Sequence, residues 1–299
     1  MAQHSVAVLM STYNGAAYLK EQIDSLLSQT GITLDIFVRD DGSTDDTYDL
    51  LMEFEKKYHC INVKKGSNIG YKKSFLQLIT STPDSYDYYC FADQDDVWDK
   101  YKICAAIKEM QKTHSESYVS ALEYVDSNLN HIRKRDYPDR DITLNSVFCR
   151  MRYAGCTLVF SKKIFEECKK VINDNKFTFD IPHDQYVLSI CLATHNKIFL
   201  DHNTYIKYRR TGNNITAGGK TILDRVRYEL NNIIHDSHLD DFAKYLTKSD
   251  NIRDSYLMLC EKYKENLIKK LQLIKRTFPS TGNFLLGFEA SLKILLGTF

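Results

Sequence analysis

Short apolar runs alternate with helical patterns along the first part of the chain, and this alternation is the feature that most constrains the fold. Residues 5–10 (SVAVLM), 34–39 (LDIFVR) and 87–92 (DYYCFA) are typical of buried strands. Between the strands, apolar residues recur at helical spacing, as at Leu19 and Ile23. This rhythm predicts an α/β fold with a mostly parallel central sheet flanked by helices.

Polar clusters follow the predicted strands. They are residues 11–14, 40–44, 68–73 and 93–96. Because ligands of open α/β sheets bind outside the carboxyl ends of the strands, we expect a ligand site at this edge. The chain has no G-x-G-x-x-G after the first strand and no G-x-x-x-x-G-K-[ST]. A diphosphate at this edge would therefore be held mainly through a metal and side chains.

Three carboxylates, Asp93, Asp95 and Asp96, stand within four residues directly after the predicted strand at residues 87–92. Such close carboxylates repel each other unless a cation lies between them. Mg²⁺ or Mn²⁺ takes oxygen ligands and leaves positions open for phosphate oxygens. Asp95 is the first choice as a metal ligand, with Asp93 as a second. Taken alone, the stretch is explained equally well as an acidic turn before a helix.

Composition excludes several classes of function. The net charge of +1 provides no global field for nucleic acid. The hydrophobic share of 43% and the charged share of 26% are ordinary for a soluble globular protein. The eight cysteines form no C-x-x-C pair, which argues against zinc and favours a reducing cytosol. We see neither a signal sequence nor an apolar run of about 18 residues, so the expected location is cytoplasmic.

Four ordered motifs together resemble one known family, the inverting family 2 glycosyltransferases with the GT-A fold. The motifs are residues 8–15 (VLMSTYNG), 39–45 (RDDGSTD), 68–70 (NIG) and 92–96 (ADQDD). The resemblance extends over residues 5–215. Further segments resemble the bacterial rhamnosyltransferase-like branch of that family. They are residues 92–98 (ADQDDVW), 155–160 (GCTLVF), 182–184 (PHD) and 208–214 (YRRTGNN).

The resemblance implies a set of nucleotide-binding residues. They are Ser11, Thr12, Tyr13, Asp40, Asp41, Ser43, Lys73 and Asp93. Tyr13 would offer the base a flat apolar face, and Asp41 would accept the N3–H of uracil or thymine. Asp40 or Ser43 would position the ribose. Without the family, Asp41 is better explained as a turn residue before Gly42.

The resemblance also implies a general base at the start of a helix, where the family commonly has Glu-Asp. Here the matching pair is His183 and Asp184. Asp184 is the preferred base, since a helix N-terminus keeps its carboxylate ionised. His183 departs from the family pattern, and its roles as base, metal ligand or phosphate contact stay open. A helix-capping Asp184 beside a bystander histidine is the structural alternative.

Six residues are predicted to contact the donor or acceptor sugar. They are Asp96, Trp98, Gly155, Cys156, Arg209 and Arg210. Packing beneath the acidic loop is an equal alternative for Trp98. Arg209 and Arg210 fall in a predicted loop, residues 208–214, from which they would clamp the diphosphate. Cys156 is not expected to be a nucleophile, because inversion needs no covalent intermediate.

We predict a catalytic domain over residues 1–218 and a helical region over residues 219–299. Basic residues at 262–276 precede an apolar helix. This pattern suits an anionic membrane surface, packing on the catalytic domain or a homodimer contact.

The predicted activity is metal-dependent inverting transfer from a nucleotide-diphospho sugar to a glycan or lipid-linked acceptor, in bacterial surface polysaccharide synthesis. On the resemblance, dTDP-rhamnose is the leading donor, and UDP-galactose or UDP-glucose is the alternative. A nucleotidyltransferase and a non-catalytic sugar-nucleotide-binding protein are weaker alternatives.

Overall fold

The chain forms two compact units in a computed structural model that describes residues 3–137, 141–148, 153–175, 181–210, 239–248, 254–281 and 284–299. The first unit comprises Met1–Tyr137, Tyr153–Phe177 and Asn196–Arg209. The second comprises Pro138–Arg152, Thr178–His195 and Arg210–Phe299. The predicted boundary between residues 218 and 219 lies outside the described residues and stays a prediction.

The first unit contains the sheet and five helices among its described residues. The strands are β1 His4–Thr12, β2 Ile32–Asp40, β3 Ile61–Lys65, β4 Tyr88–Ala92, β5 Val97–Trp98, β6 Ser117–Val125, β7 His131–Arg135, β8 Val159–Ser161 and β9 Ile198–Arg209. The helices are α1 Ala16–Leu27, α2 Thr47–Lys57, α3 Tyr71–Ser81, α4 Lys102–Thr113 and α6 Lys162–Asn175.

The strand order is β3-β2-β1-β4-β8-β6-β9-β5, with β7 paired to β6. Strands β3, β2, β1 and β4 are parallel neighbours, which confirms the predicted α/β fold. The other half makes the sheet mixed, because β8 runs antiparallel to both β4 and β6, and β5 runs antiparallel to β9. Strands of two and three residues are too short to show a hydrophobic period.

The register of the parallel strands places their carboxyl ends side by side. Thr12 pairs with Asp40, and Met10 pairs with Ala92. The segments that follow β1, β2 and β4 therefore leave the sheet at one edge, as the sequence predicts. Beneath that edge, Val6 and Val8 of β1 are fully buried, as is the predicted apolar face of α1. This core holds the strand ends in fixed register.

The second unit is helical in its described part. Its helices are α5 Leu144–Phe148, α7 His183–Ala193, α8 Leu239–Lys248, α9 Ser255–Lys262, α10 Leu267–Ser280 and α11 Phe284–Leu296. Aromatic rings join the early helices to the late ones. Phe242 of α8 stacks on Phe148 and on Tyr186, with ring centroids 6.2 Å and 5.5 Å apart. Helix α8 thus packs on α5 and on α7, the helix that begins at His183.

The region predicted to be helical, residues 219–299, is helical over α8–α11 in its described part. Its first residues, 219–238, lie outside the described part of the chain. Among the described helices, none combines the length and the apolar character that crossing a bilayer requires.

Candidate active site

Thr12, Asp40 and Ser43 form a hydrogen-bonded corner where β1 and β2 end. Oδ1 of Asp40 accepts from Thr12 Oγ1 at 3.2 Å and from Ser43 Oγ at 2.5 Å, and Oδ2 accepts from Ser43 N at 3.0 Å. Gly42 has φ +79°, and a Cβ there would lie 2.9 Å from Asn68 N. Thr12 and Asp40 are buried, whereas Ser43 is half-buried. The first two shape the corner, and Ser43 reaches its surface.

Asp41 lies beside this corner and is held by three donors. Its Oδ1 accepts from Ile69 N at 3.0 Å and pairs with Arg39, and its Oδ2 accepts from Gly70 N at 2.9 Å. Each carboxylate oxygen has about two lone-pair sites, so Oδ2 has one left for a further donor, but the side chain is buried, with 2% of the residue exposed. That geometry is compatible with the predicted contact to a base N3–H.

Arg39 is a site residue that sequence reasoning missed. Its guanidinium pairs with Asp41 and also donates to Gln77 Oε1 at 2.8 Å and Ser74 Oγ at 3.1 Å on α3. These bonds tie the end of β2 to α3. The sequence signal for this residue was its position as a basic residue directly before two aspartates, Asp40 and Asp41.

Tyr13 presents its ring to solvent above the sheet edge, with 46% of its surface exposed. Its backbone is fixed by Gln94, whose Oε1 accepts from Tyr13 N at 2.8 Å and whose Nε2 donates to Tyr13 O at 3.0 Å. A Cβ on Gly15 would lie 2.3 Å from Gln94 Cδ. Gln94, which the sequence did not single out, thus locks the loop after β1 to the acidic loop after β4.

Ser11 and Lys73 complete the predicted nucleotide set near α3. Ser11 Oγ lies 2.6 Å from Ser74 Oγ, and Ser11 is half-buried. Lys73 lies in the first turn of α3 and is exposed. Its position leaves a cation available to a phosphate at this edge.

The acidic loop concentrates more negative charge than its surroundings neutralise. Asp93 and Asp95 are half-buried, and Asp96 is fully buried. Burial, together with repulsion from Asp95 and Asp93, raises the pKa of Asp96 well above its usual value. Burial also raises the pKa of Asp95. Oδ2 of Asp96 makes no hydrogen bond to the described residues beyond the weak contact offered by the Cys156 thiol.

This charge distribution fits a divalent cation. Asp93, Asp96 and Cys156 place ligand atoms within 4.8 Å of one another, the closest such gathering in the described residues. Asp96 and Cys156 are fully buried, however, and burial raises the pKa of the thiol well above its usual value. A neutral thiol is a poor ligand for Mg²⁺ or Mn²⁺. Asp95 is not one of the three residues in this gathering, and the assignment of the metal to Asp93 and Asp95 stays a prediction.

Arg209 anchors the acidic loop from within. Its backbone N donates to Asp96 Oδ1 at 3.2 Å, and its Nε donates to the carbonyl of Asp95 at 2.9 Å. The guanidinium also bonds to the Ser127 carbonyl and to Glu21, and lies 4.4 Å from the ring centroid of Tyr18.

The predicted loop over residues 208–214 was wrong for Tyr208 and Arg209, because β9 continues through Arg209. Arg209 is buried, and its bonds support a positioning role rather than a diphosphate clamp. The role predicted for Arg210, which is half-buried, stays a prediction, and residues 211–214 lie outside the described part of the chain.

A buried cation lies below the acidic loop. Lys102 is fully buried, and its Nζ lies 3.4 Å from the centroid of the Trp98 ring. Burial lowers the pKa of Lys102 to about 8, against the attraction of Cys90, Cys156 and Asp96. No hydrogen bond to Nζ forms within the described residues. Trp98 ends β5 and Lys102 begins α4, so no helical spacing in the sequence could have indicated this contact.

Burial bears on the predicted sugar contacts. Trp98 is 3% exposed, and Gly155 and Cys156 lie in a buried 3₁₀ turn, Gly155–Thr157. These three residues pack beneath the surface, so their geometry supports a structural role. Their contacts with a sugar, like that of Asp96, stay predictions.

Asp184 and His183 open α7 in the second unit, as the sequence predicts. Asp184 is half-buried, and its Oδ1 accepts from Gln185 N at 2.7 Å. His183 is buried, and burial lowers its pKa to about 4, against the attraction of Asp184. His183 is therefore neutral at pH 7 and carries no charge for a phosphate. Asp184 is the accessible group of the pair.

The buried His183 predicts a loss of stability in acid. Between pH 6.5 and about 4 the unfolded chain takes up a proton at this histidine while the folded chain does not. The free energy of unfolding should fall by up to about 3 kcal/mol across that window. Urea unfolding at several pH values checks this, with His183→Gln as the comparison. An equal pH dependence of the free energy of unfolding in wild type and His183→Gln would contradict this prediction.

The strand order and the acidic loop after β4 define a GT-A fold, the fold of many glycosyltransferases that use nucleotide sugars. The sequence model described as "Glycosyl transferase family 2" matches residues 7–173. The chain belongs to this family and is a glycosyltransferase. It is 31% identical to a dTDP-rhamnosyl transferase, RfbG, of Shigella flexneri over 277 residues, which are 89% of this chain and 93% of the relative.

Solved structures support the fold. One is TarS 1–349 of S. aureus in complex with UDP-GlcNAc, with TM-score 0.56 and 17% identity over 97% of this chain and 88% of that one. Another is the mannosyltransferase PcManGT of Pyrobaculum calidifontis in complex with GDP-Man and Mn²⁺. It has TM-score 0.53 and 14% identity, over 100% of this chain and 80% of that one.

Proposed function

We propose that the protein transfers rhamnose from dTDP-rhamnose, with inversion, to a glycan or lipid-linked acceptor in the assembly of a bacterial surface polysaccharide. The relative named a dTDP-rhamnosyl transferase supports this donor, because the similarity extends over nearly the whole of both chains. The reaction is proposed to take place in the cytoplasm, where nucleotide sugars are present.

The observation that carries the proposal is the meeting of the polar strand ends at one edge of the sheet. Tyr13 gives the base an exposed aromatic face there. Oδ2 of Asp41, although this residue is buried, has a lone pair left for the N3–H of thymine, which is a donor between two carbonyls. Ser43 reaches the surface of the corner that Asp40 shapes, where it would contact the ribose.

Asp95 and Asp93 would hold Mg²⁺ or Mn²⁺, because they are the accessible members of a loop with raised carboxyl pKa values. When bound, such an ion stabilises the charge that develops on a leaving diphosphate. Lys73 and Arg210 would supply further positive charge to the phosphates. Arg209 and Gln94 keep the loop in place through the bonds described above.

Asp184 is proposed as the general base. Its carboxylate would take the proton of the acceptor hydroxyl as that oxygen attacks the anomeric carbon. The new bond forms on the face opposite the departing dTDP, which inverts the configuration. Asp184 lies in the first turn of α7 and is half-buried, so its carboxylate is the accessible acceptor for that proton.

A ligand panel tests the donor site. Thermal unfolding is followed with dTDP, UDP, GDP or CDP, each with Mn²⁺ or with a chelator. A ligand at 100 times its Kd stabilises the folded state by about 2.7 kcal/mol. We expect the largest shift with dTDP and its loss in the chelator. A larger shift with UDP would favour the UDP-hexose alternative, and the absence of any shift would overturn the proposal.

A further inference from the structure

Seven large apolar side chains are exposed on two helices of the second unit. They are Leu267, Ile268 and Leu271 of α10, and Phe284, Phe288, Leu295 and Leu296 of α11. Their exposed fractions run from 43% to 71%. Contiguous apolar surface of this kind marks a contact site for protein or membrane.

The two helices that carry these side chains, α10 and α11, pack side by side in opposite directions. Lys270 Nζ donates to the carbonyl of Leu295 at 2.7 Å near one end. Near the other end the rings of Phe278 and Phe284 meet edge to face, with centroids 5.7 Å apart. Gly287 permits this approach, since a Cβ there would lie 2.9 Å from the Phe278 ring. We name the seven residues the apolar face.

Positive charge borders the apolar face. Residues 262–276 contain six lysines and arginines and a single acidic residue, Glu265, in a chain whose net charge is only +1. Lys262 and Lys275 are exposed and line a groove of about 670 Å³ between α9 and α10. Met258 and Leu259 line the same groove. Basic and apolar groups thus share one region of the unit.

We propose that the apolar face and its basic border dock on the surface of a bilayer that contains anionic lipids. Phe and Leu side chains would enter the boundary between headgroups and acyl chains, and the lysines would meet the phosphates. A second copy of the chain fits this surface less well. A two-fold contact would bring the two basic borders together, and lysine is depleted in the cores of protein interfaces.

Vesicle flotation tests the docking surface. Wild type is mixed with vesicles of phosphatidylcholine, with or without phosphatidylglycerol, at low and high salt. We expect binding that requires phosphatidylglycerol and weakens with salt. Each Lys or Arg near an anionic surface strengthens binding roughly fivefold, so Lys262→Glu with Lys275→Glu should weaken it by at least about 25-fold. Leu271→Ser with Phe288→Ser should also abolish detectable flotation.

Matched variants keep the test specific. Lys56→Glu with Lys57→Glu makes the same charge change on exposed residues of α2 and should bind like wild type. Circular dichroism and the dTDP shift establish that each variant is folded. Equal binding of the α9–α10 charge variant and wild type would overturn the proposal.

Light scattering tests the alternative that a second copy of the chain covers the apolar face. A wild-type dimer that Leu271→Ser with Phe288→Ser converts to a monomer, without vesicle binding by either protein, would assign the apolar face to a second copy and overturn the proposal. A wild-type monomer that binds vesicles supports it. Flotation measures lipid binding and not sugar transfer, so a negative result leaves the proposed transferase activity standing.

Discussion

Replacing Asp184 by asparagine should lower kcat by about 10²- to 10⁴-fold, the range typical of a lost general base. Asparagine has nearly the same shape and still accepts the bond from Gln185 N, so α7 should stay folded. Binding of dTDP should be unchanged, because Asp184 is not one of the proposed nucleotide-binding residues. Single-turnover transfer checks the predicted loss of kcat, and the dTDP thermal shift of the same protein checks that dTDP binding is unchanged.

A matched control separates catalysis from helix capping. Asp49 is exposed in the first turn of α2 and has no proposed catalytic role. Asp49→Asn removes the same favourable interaction with a helix dipole, which contributes about 0.3–1 kcal/mol, and should leave transfer unchanged. If Asp184→Asn turned over like wild type, Asp184 would not be the base. A much larger loss in His183→Gln would then point to the histidine despite its burial.

Replacing Asp95 by asparagine should lower transfer roughly 10²- to 10³-fold, as expected when a group that stabilises developing charge is lost. The Mn²⁺-dependent part of the dTDP thermal shift should disappear. Without metal, the variant should be at least as stable as wild type, since one charge that raises the pKa of Asp96 is removed. A smaller thermal shift than wild type with Mn²⁺, together with a stability no lower than wild type without metal, distinguishes a lost metal ligand from a damaged fold.

Asp99 supplies the control for the acidic loop. It is exposed just beyond β5, and its Oδ1 accepts from Tyr101 N at 2.8 Å, a bond that asparagine retains. Asp99→Asn should keep the metal-dependent shift. A shift that survives in Asp95→Asn and is lost in Asp93→Asn would move the main metal ligand to Asp93.

Strands with a sustained apolar pattern could be predicted from the sequence. Strands β1 and β4 are buried on both faces, so their apolar runs were continuous, and the polar residues after β1, β2 and β4 marked the shared edge. The start of α7 at His183 was also correctly predicted, from the resemblance to the family. Local patterns are reliable where the period is sustained.

Residues that act through distant contacts could not be predicted. Arg209 bonds with Asp95 and Glu21, which are more than a hundred residues away, and nothing in its neighbourhood indicates that it would be buried. Gln94 reaches back to Tyr13 across 81 positions. The same limit hid the antiparallel half of the sheet, where β8 has only three residues. Such pairings depend on tertiary structure and leave no periodic signal.

The second unit is assembled from three separated stretches, Pro138–Arg152, Thr178–His195 and Arg210–Phe299. Genetic exchange at a single crossover cannot transplant it whole. A chimera joined after Arg209 would combine Tyr186 from one parent with Phe242 from the other. The two stacked rings would then come from proteins in which they did not evolve together. Related enzymes should therefore inherit these stretches together, and a successful swap of this unit should require all three.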